Sequence, residues 1–226
     1  MCLLMLRPLE PTAADYLIRP YQSQDRQAVR RIAYATAFFG NSAKAFFDGE
    51  QFLEDSLTSY YLDYEPESCF VAESQGKVIG YLIGSRDYRA LEKRSQGKVL
   101  SGLFAQLIFQ GVIFKKKNFI FMLKLLRSFL RGELNVPDFS GRYPACLHIN
   151  LAEGFRNFGI GRRLMETFLD YLSRQGVKGV HLATFSEDAG RFYQRMGFIL
   201  LHTEKRSYFD HLLTKEVFCY TYGKKI

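Results

Sequence analysis

Arg156-Asn157-Phe158-Gly159-Ile160-Gly161-Arg162-Arg163-Leu164 decides the reading of this chain. It follows an apolar run, Ala145-Cys146-Leu147-His148-Ile149-Asn150-Leu151, and opens a helical pattern that continues to Gln175. A strand feeding a glycine-rich turn and then a helix presents backbone N–H groups to an anion. The first helical turn has unpaired donors, and the helix dipole adds partial positive charge. Gly159 and Gly161 let the backbone approach a phosphate with no Cβ in the way. Arg156, Arg162 and Arg163 set mobile positive charge around it. The stretch reads as a binding site for a phosphorylated small molecule. Two common fingerprints are excluded: there is no Gly-x-x-x-x-Gly-Lys-Ser/Thr, and Leu164 stands where the dinucleotide pattern has its third glycine.

The chain around this turn has 226 residues, 47% hydrophobic and 24% charged. That is the composition of a folded protein, long enough for one domain or one domain with an insertion. Cys2, Cys69, Cys146 and Cys219 are scattered, with no pair at metal-ligand spacing, and two lie in strand-like runs where a buried thiol is inert. No metal site is expected, and the context reads as reducing and cytoplasmic. Met1-Cys2-Leu3-Leu4-Met5-Leu6 is apolar but too short for the core of a signal peptide. The net charge of +8 is local. About 11 Lys and Arg against 2 Asp and Glu fall between Arg86 and Arg131, leaving the rest of the chain close to neutral.

In chain order, Tyr16 to Arg19 reads as a first strand, and Asp25 is placed to cap a helix carrying Ala28, Val29, Ile32, Ala33 and Ala37. Gly40-Asn41-Ser42 breaks it. A second helix is expected over Gln51 to Leu62, then a hairpin of Ser68–Glu73 and Lys77–Ser85 joined through Ser74-Gln75-Gly76. After the glycine turn come a helix with Ile160, Leu164, Met165, Phe168, Leu169 and Leu172 on one face, closed by Gly176, and a strand over Gly179–Phe185. Ser186 caps a short helix with Ala189, Phe192, Tyr193 and Met196 at helical spacing. Phe198–Thr203 and Val217–Tyr222 read as closing strands.

Residues 87–141 interrupt this rhythm. Val99 to Phe114 and Phe119 to Leu130 flank Lys115-Lys116-Lys117 and suggest two amphipathic helices, with Phe119, Leu123, Leu126 and Leu130 as a stripe. The expected role is a helical insertion packed on the core with a solvated basic face. The sharper readings are a substrate lid, a homodimer contact or peripheral membrane contact through 99–131. Nucleic acid binding is not favoured, because the basic stretch lacks aromatics spaced along a groove.

Leu151-Ala152-Glu153-Gly154-Phe155-Arg156-Asn157-Phe158-Gly159-Ile160-Gly161 resembles the acetyl-CoA pyrophosphate loop of the GNAT acetyltransferase superfamily. Ala189-Gly190-Arg191-Phe192-Tyr193-Gln194-Arg195-Met196-Gly197-Phe198 resembles that family's Ala-x-x-Phe-Tyr-x-x-x-Gly-Phe segment. A narrower likeness, from Tyr143-Pro144 to Gly179-Val180-His181-Leu182, is to the acetyltransferase-like domain attached to some O-GlcNAc hydrolases, and such domains are not all active. The resemblance implies an α/β (α+β) fold, with a mixed, mostly antiparallel central sheet flanked by helices; the chain reads as one domain over 1–226, and the helical insertion at 87–141 is the part that the family pattern does not cover. It also implies acetyl-CoA as cofactor. The backbone of Ile149 and Leu151 would pair with the pantetheine arm. N–H groups of Arg156, Asn157, Phe158, Gly159, Ile160, Gly161 and Arg162 would hold the pyrophosphate. Ser186 stands where the family often has Asn, and Tyr193 would lie beside the cofactor sulfur.

Acetyl transfer from a thioester to an amine needs a neutral amine, a stabilised oxyanion and a proton for the thiolate. A thiol with an ordinary pKa of about 8.5 makes a nearby phenol a plausible donor, and Tyr193 is the candidate. The position on the central strand suited to a carboxylate base holds Asn150. His148, two residues earlier on the same face, is the candidate base, with His181, Glu73 and Glu187 behind it. Two functions stay open. One is an acetyl-CoA-dependent N-acetyltransferase acting on a primary amine of a small molecule or protein. The other is an acyl-CoA-binding module that lost catalysis. Asp48, Glu50, Glu54 and Asp55 would attract a cationic amine or form a solvated acidic helix face.

Overall fold

The two apolar runs within Cys69–Ser74 and Lys77–Ser85 are buried on both faces and need one sharp reversal between them, and Gln75-Gly76 supplies it. Both residues have positive φ (50° and 73°), the two-residue turn whose twist matches the strands it joins. These strands are β2 and β3 of a seven-stranded sheet. The structure, a computed structural model, describes residues 15–95, 111–213 and 215–226. The apolar terminus Met1–Leu6 and most of the run 99–114 lie outside them. Of that run, Val112–Phe114 form a single 3-10 turn.

The elements are β1 (Leu17–Pro20), α1 (Arg26–Thr36), α2 (Glu50–Tyr64), β2, β3, α3 (Tyr88–Arg94), α4 (Lys116–Leu130), β4 (Ala145–Leu151), α5 (Ile160–Arg174), β5 (Gly179–Thr184), α6 (Glu187–Arg195), β6 (Ile199–Lys205) and β7 (Phe218–Lys225). Strand order is β1-β2-β3-β4-β5-β7-β6, and every neighbouring pair is antiparallel except β4–β5. The result is a mixed α/β architecture with a mostly antiparallel sheet, as expected.

Alternate residues of each strand feed two cores. On one face, α5 buries Ile160, Leu164, Met165, Phe168 and Leu172 completely against Leu82, Leu147, Val180 and Leu182, and α6 adds Tyr193. Each such side chain contributes roughly 1.5–3 kcal/mol of burial. Gly84 has no room for a Cβ, which would sit 2.3 Å from Phe168 Cζ, so that ring lies flush on β3. Gly176 ends α5 with φ +69, while Val177 N–H bonds to Leu172 O and Gly176 N–H to Ser173 O, each at 3.0 Å. On the other face, α1 and α2 pack Val29, Ile32, Ala33, Tyr61 and Leu62 against Val71, Tyr81, Ile83 and Cys146. Burial pushes the Cys69 and Cys146 thiols up to about 12, as expected of inert core cysteines.

Three expectations need correction. Asp25 does not cap α1 with its side chain. Its carboxylate accepts the Gln22 N–H at 2.9 Å and is gripped by Arg19 at 2.6 and 2.8 Å, because a 3-10 turn over Ser23–Asp25 precedes the helix. The acidic residues near α2 are not simply solvated. Arg30 holds both Glu54 and Asp55, and Lys117 holds Asp48 at 3.0 Å. The stripe on α4 does not pack on the core: Phe119, Leu123, Leu126 and Leu130 are 54%, 51%, 54% and 75% exposed. The helix is seated through its opposite side instead. Phe121 enters an aromatic cluster with Phe46, Phe47, Tyr208 and Phe209. Asn118, fully buried, accepts the Asp48 N–H at 2.7 Å and donates to Val112 O and Asp48 O.

Candidate functional site

β4 carries the site because its two edges differ. Ala152 donates its N–H to Ile79 O at 2.8 Å. Bonded residues alternate in an antiparallel pair, so Cys146, His148 and Asn150 bond their backbone to β3, while Leu147, Ile149 and Leu151 turn theirs to the other edge. On that edge β5 pairs only at Ala145–Val180 and Cys146–His181. Beyond Cys146 the two strands part. The backbone of Ile149 and Leu151 therefore faces a split in the sheet with no strand partner among the described residues.

The split ends at the glycine turn. Gly154, Asn157 and Gly159 take left-handed φ of 84°, 69° and 79°. Asn is the non-glycine residue that tolerates this region best. The alternation bends successive N–H groups inward. Among the described residues, no backbone N–H from Arg156 to Arg162 has an acceptor. Such a concavity at the head of a 15-residue helix suits an anion. An ideal Cβ at Gly161 would stand 3.8 Å from Phe192 Cζ, 3.9 Å from Leu151 and 4.0 Å from Ile149. The turn, β4 and α6 thus converge on one place.

The arginines behave differently from the sequence expectation of mobile charge. Arg156 reaches across to Gly40 and donates to its carbonyl at 2.8 Å. Arg162 pairs with Glu166 at 2.7 Å on the exposed face of α5. Gly40 belongs to a feature the sequence hid. Phe38 and Asn41 exchange backbone hydrogen bonds of 2.8 Å around Phe39-Gly40, and Phe39 has φ 53°. A bulky residue there is strained by about 1–2 kcal/mol. Its ring packs on Phe185 and Phe209, 5.8 Å from each. The Phe39-Gly40 turn is therefore both wedged by aromatics and latched to the glycine turn by Arg156.

Residues 127–198 match the family model described as Acetyltransferase (GNAT) family. Among solved structures, SsHAT aligns with TM-score 0.65 at 24% identity, covering 93% of this chain and 98% of its own. The polyamine N acetyltransferase of Drosophila melanogaster aligns with TM-score 0.57 at 18% identity, covering 94% and 100%. The fold is the GNAT fold. A weaker sequence likeness is to Protein O-GlcNAcase of Rattus norvegicus, 22% identical over 197 residues, 84% of this chain. The chain spans about a fifth of the length of the curated relatives it matches, since the alignment covers 21% of that protein.

Within this GNAT fold the remaining candidates fall as follows. Tyr193 is 7% exposed on α6, packed at tilted and edge-on angles among Phe192, Phe198 and Tyr222, and its hydroxyl has no hydrogen bond among the described residues. Burial pushes that phenol well above its ordinary pKa. Ser186 spends an Oγ lone pair on the Ala189 N–H at 3.3 Å, capping α6. His148 lies on the α1–α2 face of β4, solvent-accessible along one edge, its ring 5.6 Å from Tyr61. Desolvation on the packed side lowers its pKa, so the imidazole is neutral at pH 7. Asn150 donates to the buried Tyr81 hydroxyl at 2.8 Å. His181 is a packing residue: Nδ1–H donates to Tyr143 O at 2.7 Å, and the Tyr88 ring meets it edge to face with centroids 4.7 Å apart. Glu73 is bound by Arg19 at 2.7 Å, and Glu187 takes the Tyr220 hydroxyl at 3.4 Å. A groove of about 570 Å³ between Ser23, Arg30, Glu50 and Glu54 lies elsewhere and is lined by none of the glycine-turn residues.

Proposed function

We propose that this chain is an acetyl-CoA-dependent N-acetyltransferase acting on a primary amine of a small molecule or protein. The observation that carries it is the edge of β4 running into a glycine turn, with the strand edge and the turn's backbone N–H groups both unpaired among the described residues. Those donors fit a diphosphate attached to an extended amide-bearing arm, which is the shape of coenzyme A. The N–H groups from Arg156 to Arg162 would hold the diphosphate, and the Ile149 and Leu151 backbone would accept and donate to the arm. The bound acetyl thioester supplies an activated acyl group.

The chain's own residues have three tasks. An N–H on the open edge of β4 stabilises the oxyanion in place of a strand partner. Tyr193, kept protonated by burial, holds a proton for the departing sulfur. His148, neutral at pH 7, takes a proton from the amine, directly or through water. The buried reduced thiols fit our reading of a cytoplasmic setting.

One observation favours a second reading, an acyl-CoA-binding module without turnover. Asn150 stands where a carboxylate base would be suited and, as a neutral amide, cannot act as one, while Glu73 is committed to Arg19. Thiol release from acetyl-CoA across an amine panel separates the two. Turnover that drops at least tenfold in Tyr193→Phe supports the first reading. Binding without turnover supports the second, and absence of acetyl-CoA binding rejects both.

A further inference from the structure

The exposed apolar stripe of α4 is the largest feature the acetyl-transfer reading leaves unused, and the following does not depend on that reading. Phe119, Leu123, Leu126 and Leu130 recur at i, i+4, i+7 and i+11, so they form one ridge, and Phe114 before the helix and Phe129 on it are also exposed, at 78% and 59%. The helix is not loosely placed, because Asn118 and Phe121 fix its other side. The ridge is held outward.

Charge says what the ridge meets. From Lys115 to Arg131 there are six Lys and Arg and no Asp or Glu. Lys117 is spent on Asp48, and Arg131 lies 3.8 Å from Glu133. Lys115, Lys116, Lys124 and Arg127 have no acidic partner among the described residues. Helical spacing puts Lys116, Lys124 and Arg127 along one flank of the ridge. Lys124, Arg127 and Arg131 together line a small cleft of about 190 Å³ with Ser207 and Asp210. Apolar side chains with cations beside them match acyl chains beneath phosphate headgroups. The 15 residues of α4 extend roughly 22 Å, short of a hydrocarbon core of about 30 Å, so the helix suits lying in the interface and not crossing it. Aliphatic and phenylalanine side chains on a helix ridge do not form the spaced stacking platforms of single-strand binders.

We propose that α4 docks this protein on an anionic membrane surface, with Phe119, Leu123, Leu126 and Leu130 entering the headgroup–acyl boundary and Lys116, Lys124 and Arg127 facing lipid phosphates. The test is flotation of the full chain with vesicles of phosphatidylcholine and phosphatidylglycerol in equal parts, and with phosphatidylcholine alone. Binding is expected to the anionic vesicles only, weakening as salt rises. Leu123→Glu/Leu126→Glu should lower it roughly hundredfold or more, and Lys116→Glu/Arg127→Glu at least tenfold. All these side chains are exposed, and unchanged far-UV circular dichroism confirms that each variant is folded. Failure of the parent chain to bind, or full binding by either variant, overturns the proposal. So does a dimer in analytical ultracentrifugation that Leu123→Glu/Leu126→Glu dissolves while no vesicle is bound, since a second copy then covers the ridge. Retention of DNA in place of vesicles overturns it as well.

Discussion

Replacing Gly159 by alanine separates what the glycine turn does for folding from what it does for binding. Gly159 sits at φ +79, and an added Cβ would meet only the Tyr16 hydroxyl, at 4.0 Å. Space is therefore not the issue, and the cost is conformational, about 1–2 kcal/mol for a left-handed alanine. Gly76, in the β2–β3 turn, has φ +73 and nothing within 4 Å of the same added atom. Gly76→Ala thus costs a similar amount far from the site. Each variant should lower Tm by about 2–8 °C, using 2–4 °C per kcal/mol for a chain of this size. The two should diverge in calorimetric titration with coenzyme A. In Gly159→Ala the strain of a left-handed alanine should reshape the row of N–H donors and cost at least one charge-assisted hydrogen bond to the diphosphate. That loss is worth about 1.5–3 kcal/mol, roughly tenfold or more in Kd. Gly76→Ala should bind as the parent does. Equal affinity in both variants, or an equal loss in both, would refute the assignment of this turn to the diphosphate.

Three further outcomes follow from the geometry. Arg156→Ala removes the latch on Gly40 O, an exposed hydrogen bond, so stability should change by about 1 kcal/mol or less while the Kd for coenzyme A rises several-fold; an unchanged Kd would show the latch to be incidental. Gly190→Ala should destabilise by about 1–3 kcal/mol in denaturant unfolding, because its Cβ would lie 2.4 Å from the Tyr222 hydroxyl; wild-type stability would mean α6 shifts freely on β7. Burial lowers the pKa of His181, so below about pH 6.5 the unfolded chain binds a proton that the folded chain does not. Stability should therefore fall as pH drops from 7 towards 5.5, and His181→Gln should make thermal melts over that window flatter; an unchanged slope would contradict the desolvation of His181.

Much of the fold was legible because local signals agreed. Gln75-Gly76 demanded a hairpin, Gly176 a helix end and Ser186 a helix start, and each is found. The periodic face of α5 named its buried residues before any contact was known. What stayed hidden depended on partners distant in sequence. Hydropathy showed that Phe119, Leu123, Leu126 and Leu130 share a face of α4, but not which environment that face meets. The seat of the helix is polar, through Asn118, whose carbonyl and amide are satisfied by Asp48 and Val112, and hydropathy is blind to such a pairing. Likewise Arg156 looked like free charge because its acceptor, Gly40 O, lies 116 residues away. The left-handed Phe39 had no signal at all, since propensity argues against a phenylalanine there. The parting of β4 from β5 is a matter of register, which single-strand patterns do not contain.

The most direct measurement is amide hydrogen exchange of the full chain with and without acetyl-CoA. The account predicts slowed exchange at two places together, the unpaired N–H groups from Arg156 to Arg162 and those of Ile149 and Leu151 on the open edge of β4. Protection confined to other segments, or none at saturating acetyl-CoA, would contradict it.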